Sequence, residues 1–307
     1  MNTLCAPFHV RDVPVERTII QHIKASSDFE AQTRRRPCPP YRGLIRMKLP
    51  PELFAQLRDA ALTALASFGS FGWLSSEGRL AQDNYRSLSL TYNPDLQDPG
   101  IDDVHQSTLG TSINSNREFF YNSTQKFSSL KHTYFDTYGF RKLTPAAGTG
   151  GLGRFLSQCG LNLVRSRLSV IHGEQGETVD FSTGWHRDER VFENLRVNVP
   201  LTSDEAYRMQ VEPTLDRPDP SSVSMREYHL EPGYAYSLNT NLPHRVYAKT
   251  RTDTPRIHLV LGFSPWLRYD EEADAWAPNA YYGEINPLDM LREGLLHPEL
   301  EFDGYAS

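Results

Sequence analysis

From Leu161 onward the chain breaks into short segments of alternating apolar and polar residues, separated by Gly, Pro, Asp and Asn. A half-buried strand requires that period, and strands recurring at this spacing fold as an antiparallel sandwich or barrel. The expected strands are 162–171, 178–187, 194–201, 206–213, 223–230, 234–239, 244–250 and 255–263. Eight such strands predict a mainly β fold with added helices: a double-stranded β-helix, jelly-roll and cupin-like, with an N-terminal α/β extension. The division expected is an extension over 1–160, a catalytic core over 161–268 and a helical tail over 269–307.

Upstream, Gly43 to Leu49 alternates as a strand, and Pro50-Pro51 opens an Ala- and Leu-rich helix to Phe68. Arg86 to Tyr92 alternates again. Short helices are expected over 152–158 and 287–296, and the Arg- and Pro-rich run 34–40 reads as a surface arm. With 38% hydrophobic and 23% charged residues, the chain has material for a sizeable core. A net charge of −6 argues against a phosphate-coating nucleic-acid binder. No apolar run approaches a membrane span, and the first residues lack a secretory h-region, so the expected location is cytoplasmic. Cys5, Cys38 and Cys159 are odd in number and far apart, which suits a reducing compartment rather than a disulfide framework. The expected partner is a small molecule, with no nucleic acid and no membrane.

Chemistry enters with the histidines. Two imidazoles and one carboxylate on one side of a metal leave positions open for a chelating cosubstrate and dioxygen, the arrangement of non-haem Fe(II) oxygenases. In sequence this is H-x-D or H-x-E with a distant His. The chain has His172-Gly-Glu174, His186-Arg-Asp188, His229-Leu-Glu231 and His297-Pro-Glu299, and one short motif is weak by itself. Only His186 and Asp188 have the rest of a site after them: a distal His244, then Arg256 on the next expected strand.

Alternation supports the choice. In 195–201 the even positions are Arg196, Asn198 and Pro200 and the odd ones aliphatic, and Arg256 and His258 likewise stand opposite Ile257, Leu259, Leu261 and Phe263. One face is greasy and the other equipped, as a barrel with a polar lumen needs. If Lys249 and Arg256 face one another across a hairpin, Arg256 lies roughly 15 Å along from His244 at ~3.3 Å per residue. A short dicarboxylate bridges such a gap, its far end gripped by the guanidinium.

Between Arg165 and Trp266 the sequence resembles the aspartyl/asparaginyl β-hydroxylase-like 2-oxoglutarate oxygenases. The resemblance rests on Arg167-Leu-Ser169-Val-Ile-His172-Gly, Trp185-His186-Arg-Asp188, Asn194-Leu-Arg196-Val-Asn198-Val-Pro200-Leu, Leu230-Glu-Pro232-Gly233, Pro243-His244-Arg-Val-Tyr and Arg256-Ile-His258-Leu-Val. It implies His186, Asp188 and His244 as ligands of Fe(II), and Ser169, Arg196 and Arg256 as holders of 2-oxoglutarate. The position of Asn198 is a cosubstrate-contacting histidine in that family, and an amide can donate a hydrogen bond there but carry no charge. The animal enzyme has glycine where this chain has Asp188. Related halogenases lack the carboxylate to make room for halide, so Asp188 points to hydroxylation.

The activity implied is oxidation of a C–H bond by O2 with decarboxylation of 2-oxoglutarate to succinate and CO2. Arg167, Arg86 and Arg117 are candidate substrate contacts, and several arginines in the pocket would suit a carboxylate-bearing substrate, an amino acid or its derivative. Two alternatives stand beside this: a peptidyl Asp/Asn β-hydroxylase, and a non-catalytic metal-binding cupin-like sensor.

Overall fold

The structure is a computed structural model and describes residues 43–74, 80–94, 103–105, 137–159, 163–172, 183, 185–213, 225–273 and 275–306. Residues 34–40 and Arg117 lie outside these.

The large sheet collects strands from the whole chain. Its order is β15 (Glu301–Ala306), β1 (Leu44–Lys48), β10 (Tyr234–Ser237), β7 (Leu195–Thr202), β12 (Arg256–Phe263), β6 (Leu163–Ile171), β3 (Leu80–Ser89) and β2 (Phe71–Leu74). A smaller sheet runs β11 (His244–Ala248), β8 (Tyr207–Val211) and β9 (Arg226–Tyr228), all antiparallel, and β4 (Thr91–Tyr92) pairs with β5 (Lys142–Leu143). Residues 183 and 185–188 lie along the free edge of β11: Thr183 N donates to the Val246 carbonyl, His186 and His244 exchange both backbone bonds, and Asp188 N donates to the Thr240 carbonyl. From β6 to β12 the chain therefore alternates between sheets, except that β8 and β9 follow each other in the small one. That winding is a double-stranded β-helix. Strands β1, β2, β3 and β15 widen its large sheet from segments on either side.

Two expectations about strand pairing change. Only residues 183 and 185–187 of the predicted strand 178–187 are described, and they make an isolated bridge at His186 rather than a continuous ladder. The hairpin between β11 and β12 does not form. β11 pairs with β8, Lys249 N donates to the Ala206 carbonyl, and the chain crosses to the other sheet before Arg256. A jelly-roll turn separates strands that a simple meander would pair.

Helix α1 (Pro51–Phe68) and α2 (Gly150–Gln158) cover the outer face of the large sheet. Pro51 tolerates the first turn because its missing N–H has no helical partner to lose. Leu53, Leu57, Ala60, Ala61 and Ala64 form the buried stripe of α1. The aliphatic residues singled out by alternation, Leu195, Val197, Val199, Leu201, Ile257, Leu259, Leu261 and Phe263, all join this core. Their neighbours on the same strands face the smaller sheet.

The tail helix is shorter than expected. α3 spans Pro287–Arg292 because Gly294, at φ 67, turns left-handed and brings Leu295 N back to the Met290 carbonyl. The tail also holds the hairpin β13 (Leu267–Asp270) with β14 (Ala275–Pro278). No helix among the described residues is long and apolar enough to cross a membrane.

One irregularity fixes the register of the central pair. Val260 stands opposite Arg167, yet Gly262 stands opposite Val164, so β6 carries an extra residue. The Ser166 hydroxyl fills the gap, accepting from Gly262 N at 3.0 Å. A Cβ on Gly262 would lie 2.8 Å from Asn194 Oδ1 and 3.0 Å from the Arg165 carbonyl.

Candidate metal centre

The paired backbones of His186 and His244 put their rings 4.4 Å apart, centroid to centroid. Asp188, anchored through its N–H to Thr240, turns its carboxylate toward them. One ligand atom from each of the three lies within 4.8 Å of the others. His244 Nδ1 lies 2.9 Å from the Leu242 carbonyl. An N–H there donates to that oxygen and leaves Nε2, 3.7 Å from Asp188 Oδ2, as the metal-facing atom. His244 is buried whereas His186 is exposed, so the cluster opens on the His186 side.

Arg196 sits behind the carboxylate. Its Nε is 3.2 Å from Asp188 Oδ2 and its Nη2 2.8 Å from Glu189 Oε2. Glu189 is itself held by the Thr137 hydroxyl at 2.8 Å. Burial alone would raise the Asp188 carboxyl, but Arg196, helped by His244 and His186, outweighs it and holds the group well below the usual carboxylate range. Glu189 is lowered in the same way, burial being outweighed by Arg196. Arg196 thus faces two carboxylates from within the protein, where the family resemblance assigns it to the cosubstrate.

Arg256 is different. It is 6% exposed, and its guanidinium has no hydrogen-bond or carboxylate partner among the described residues. Burial depresses its pKa to about 10, only partly offset by the phenols of Tyr85 and Tyr207. Ile171 of β6 lies opposite Arg256, and Ser169 lies opposite His258. Ser169 hydrogen-bonds to the Tyr85 hydroxyl, which also bonds Arg167. Asn198, opposite Val260 and Tyr236, occupies the same lumen face.

Of the remaining candidates, Arg167 reaches this compartment through Tyr85. Arg86 points to the other side of β3, where Nη2 and Nε donate to the Ser70 carbonyl and hydroxyl at 2.6 and 3.2 Å.

Four contributors escaped the sequence reading. Glu189 and the Leu242 carbonyl support the ligands from behind. Tyr85 shares the alternating strand face of Ser87 and Ser89, the one signal that could have found it. His258 was on the equipped face but given no role. It is fully buried, with both ring nitrogens unpartnered among the described residues, and burial with the Arg256 charge presses its pKa well below the ordinary value.

No protein-family model matches the sequence, and no curated protein matches it. In shape the chain is similar to the non-heme α-ketoglutarate-dependent epimerase SnoN from nogalamycin biosynthesis, at 15% identity, covering 80% of this chain and 84% of that one with a TM-score of 0.39. It is similar to the carbocyclase SnoK from the same biosynthesis, at 12% identity, 84% and 87% coverage and a TM-score of 0.37. A Pseudomonas putida prolyl-4-hydroxylase is similar at 12% identity, 72% and 92% coverage and a TM-score of 0.34. At such identities the chemistry has to be judged from this chain's own residues.

Proposed function

We propose that the chain is an Fe(II)- and 2-oxoglutarate-dependent oxygenase that hydroxylates an unactivated C–H bond of a small molecule, an amino acid or amino-acid-derived metabolite, releasing succinate and CO2. The observation that carries this reading is Arg256, a buried cation without a counter-charge among the described residues, in a chain that also brings together a two-histidine, one-carboxylate cluster. A buried guanidinium is costly unless paired, so its natural complement is an anion brought by a ligand. A 2-oxo dicarboxylate has both ends that the compartment calls for: a chelating end for a metal and a far carboxylate for Arg256.

The donor set suits iron. Two neutral imidazoles and one carboxylate, open on one side, leave positions for exchangeable ligands. When bound, iron and 2-oxoglutarate supply the oxidising power together with dioxygen, and the protein supplies geometry. His186, Asp188 and His244 would hold the ion. The Leu242 carbonyl fixes the ring orientation of His244, and Arg196 keeps the Asp188 carboxylate ionised and aimed. Arg256 would grip the far carboxylate in a fork, with Ser169 beside it. Ile171, opposite Arg256, packs with Tyr207 and Tyr85 in a buried cluster at this end. The alternative of a metal-binding sensor explains the histidines but gives Arg256 no task. A peptidyl substrate would use the same residues.

The test is metal-dependent binding of 2-oxoglutarate, followed by succinate release with Fe(II), ascorbate and a panel of amino acids. Wild-type protein should bind 2-oxoglutarate only when metal-loaded, and His186→Ala should lose the metal. Normal iron retention by that variant, or a metal-loaded wild type indifferent to 2-oxoglutarate, sinks the proposal.

A further inference from the structure

Tyr85 comes from β3, which extends the large sheet past β6. It lies opposite Ile171, and Arg256 lies opposite Ile171 from the other side, so one row across the sheet reads Tyr85, Ile171, Arg256. Strand partners share a face, so the phenol and the guanidinium stand on the same side of the sheet and flank one aliphatic residue. The Tyr85 ring packs with Ile171, Tyr207 and Ala248 between the sheets, which fixes its direction. Its hydroxyl hydrogen-bonds Ser169 and Arg167 and faces the charge of Arg256.

Arg167 stands behind this phenol. It is 6% exposed; its Nε and Nη1 are buried without a hydrogen-bond partner, and no carboxylate among the described residues pairs with it. The compartment thus holds two buried guanidiniums around one phenol, uncompensated by any described carboxylate. Guanidinium groups only donate. An oxygen anion seated against Arg256 is therefore the acceptor toward which a neighbouring O–H is drawn.

We infer that Tyr85 is a second donor of the anion seat, contacting the far carboxylate of the cosubstrate beside Arg256, while Arg167 acts through Tyr85 as a positioning residue. This rests on the 2-oxoglutarate reading above. Burial alone would raise the phenol's pKa, but Arg167, Ser169 and Arg256 outweigh it and hold it below the ordinary value. The hydroxyl is accordingly a stronger hydrogen-bond donor than a solvent-exposed tyrosine. The seat so formed is selective for a charged far end over a methyl end.

The experiment is calorimetric titration of the Mn(II)-loaded full chain, oxygen excluded, with two probes. One is 2-oxoglutarate. The other is 2-oxopentanoate, which keeps the 2-oxo acid end but ends in a methyl group. Tyr85→Phe should weaken 2-oxoglutarate about 10- to 100-fold, the loss of a hydrogen bond to a charged group, and leave 2-oxopentanoate within about twofold. Equal weakening of both probes makes the phenol merely structural and overturns the inference, as does no weakening of either.

Arg167→Gln should weaken 2-oxoglutarate in wild type but add little in the Tyr85→Phe background. An equal loss in both backgrounds means that Arg167 touches the anion itself, and the positioning role falls. Arg167→Lys serves if the glutamine variant does not fold; it keeps the charge but not the planar fork, and the same background comparison applies. A wild type that binds metal but neither probe removes the 2-oxoglutarate reading itself, an outcome distinct from every other.

Discussion

Replacing Arg256 by methionine separates what this residue costs the protein from what it gives to a ligand. Methionine keeps an unbranched stem of similar length and removes the charge. In the ligand-free protein the guanidinium is buried without a described counter-charge, and its pKa falls from the ordinary arginine value to about 10. At ~1.4 kcal/mol per pH unit, that fall corresponds to about 3 kcal/mol against holding the charge at neutral pH. Arg256→Met should therefore stabilise the free protein by about 1–3 kcal/mol, the lower part of the range allowing for lost stem packing. For a chain of this size, that raises Tm by roughly 2–5 °C.

The same change should cripple ligand binding. A dicarboxylate would lose its forked partner and leave a buried carboxylate unpaired, about 3–5 kcal/mol or on the order of 10²- to 10⁴-fold in affinity. Differential scanning calorimetry of the metal-free protein reads the first effect. Titration of Mn(II)-loaded protein with 2-oxoglutarate reads the second. A variant that melts several degrees lower, or that binds 2-oxoglutarate as wild type does, refutes the reasoning that this arginine awaits an anion.

Other outcomes follow from described contacts. Arg196→Met leaves Asp188 and Glu189 without the cation that faces both; metal affinity, measured by competition with a chelator, should fall about 10- to 100-fold. Because both carboxyls are held below their ordinary values, the stability they contribute is present above about pH 4 and is lost as pH falls through their folded values. In the metal-free Arg196→Met protein the acid-unfolding midpoint should move to higher pH, and an unmoved midpoint would show the pairing to be energetically idle. His258 has a lowered folded pKa, so the unfolded chain takes up its proton first, below about pH 6.5. Stability should then decline toward acid by up to ~1.4 kcal/mol per pH unit, and denaturant melts of His258→Gln between pH 5 and 7 should show a flatter decline. Ser166→Ala strands the buried Gly262 N–H and should cost about 1–3 kcal/mol in urea unfolding.

The core strands were legible because each is buried on one face by helices and on the other by a polar lumen, which writes a clean period of two into 195–201 and 256–263. The site followed from that parity, since Arg256 and His258 cannot face the helices while Ile257 and Leu259 do. Pairing was harder to read. The segment between β11 and β12 looks like a tight turn, and nothing local announces that it spans two sheets. The expected spacing of roughly 15 Å from His244 to Arg256, which assumed that Lys249 and Arg256 face one another across a hairpin, consequently has no basis in strand pairing. β15 went unread because its partner is supplied by tertiary contact, β1 from the far end of the chain; β13 and β14 form a local hairpin, but in a tail expected to be helical. Glu189 and the Leu242 carbonyl act from behind the ligands, where composition carries no signal.

The bulge between β6 and β12 has a practical consequence for redesign. Arg256 begins β12, and the close-packed Gly262 with the Ser166 hydroxyl lies toward its other end. Slipping the strand by one residue would turn every side chain over, and this crowded point acts as a detent against that slip. Val260, the lumen-side position next to this point, can therefore be varied without changing the phase of Arg256. A library that leaves Gly262 and Ser166 alone would explore the pocket wall at fixed phase, whereas one that varies them would scramble the site while appearing to touch only the sheet.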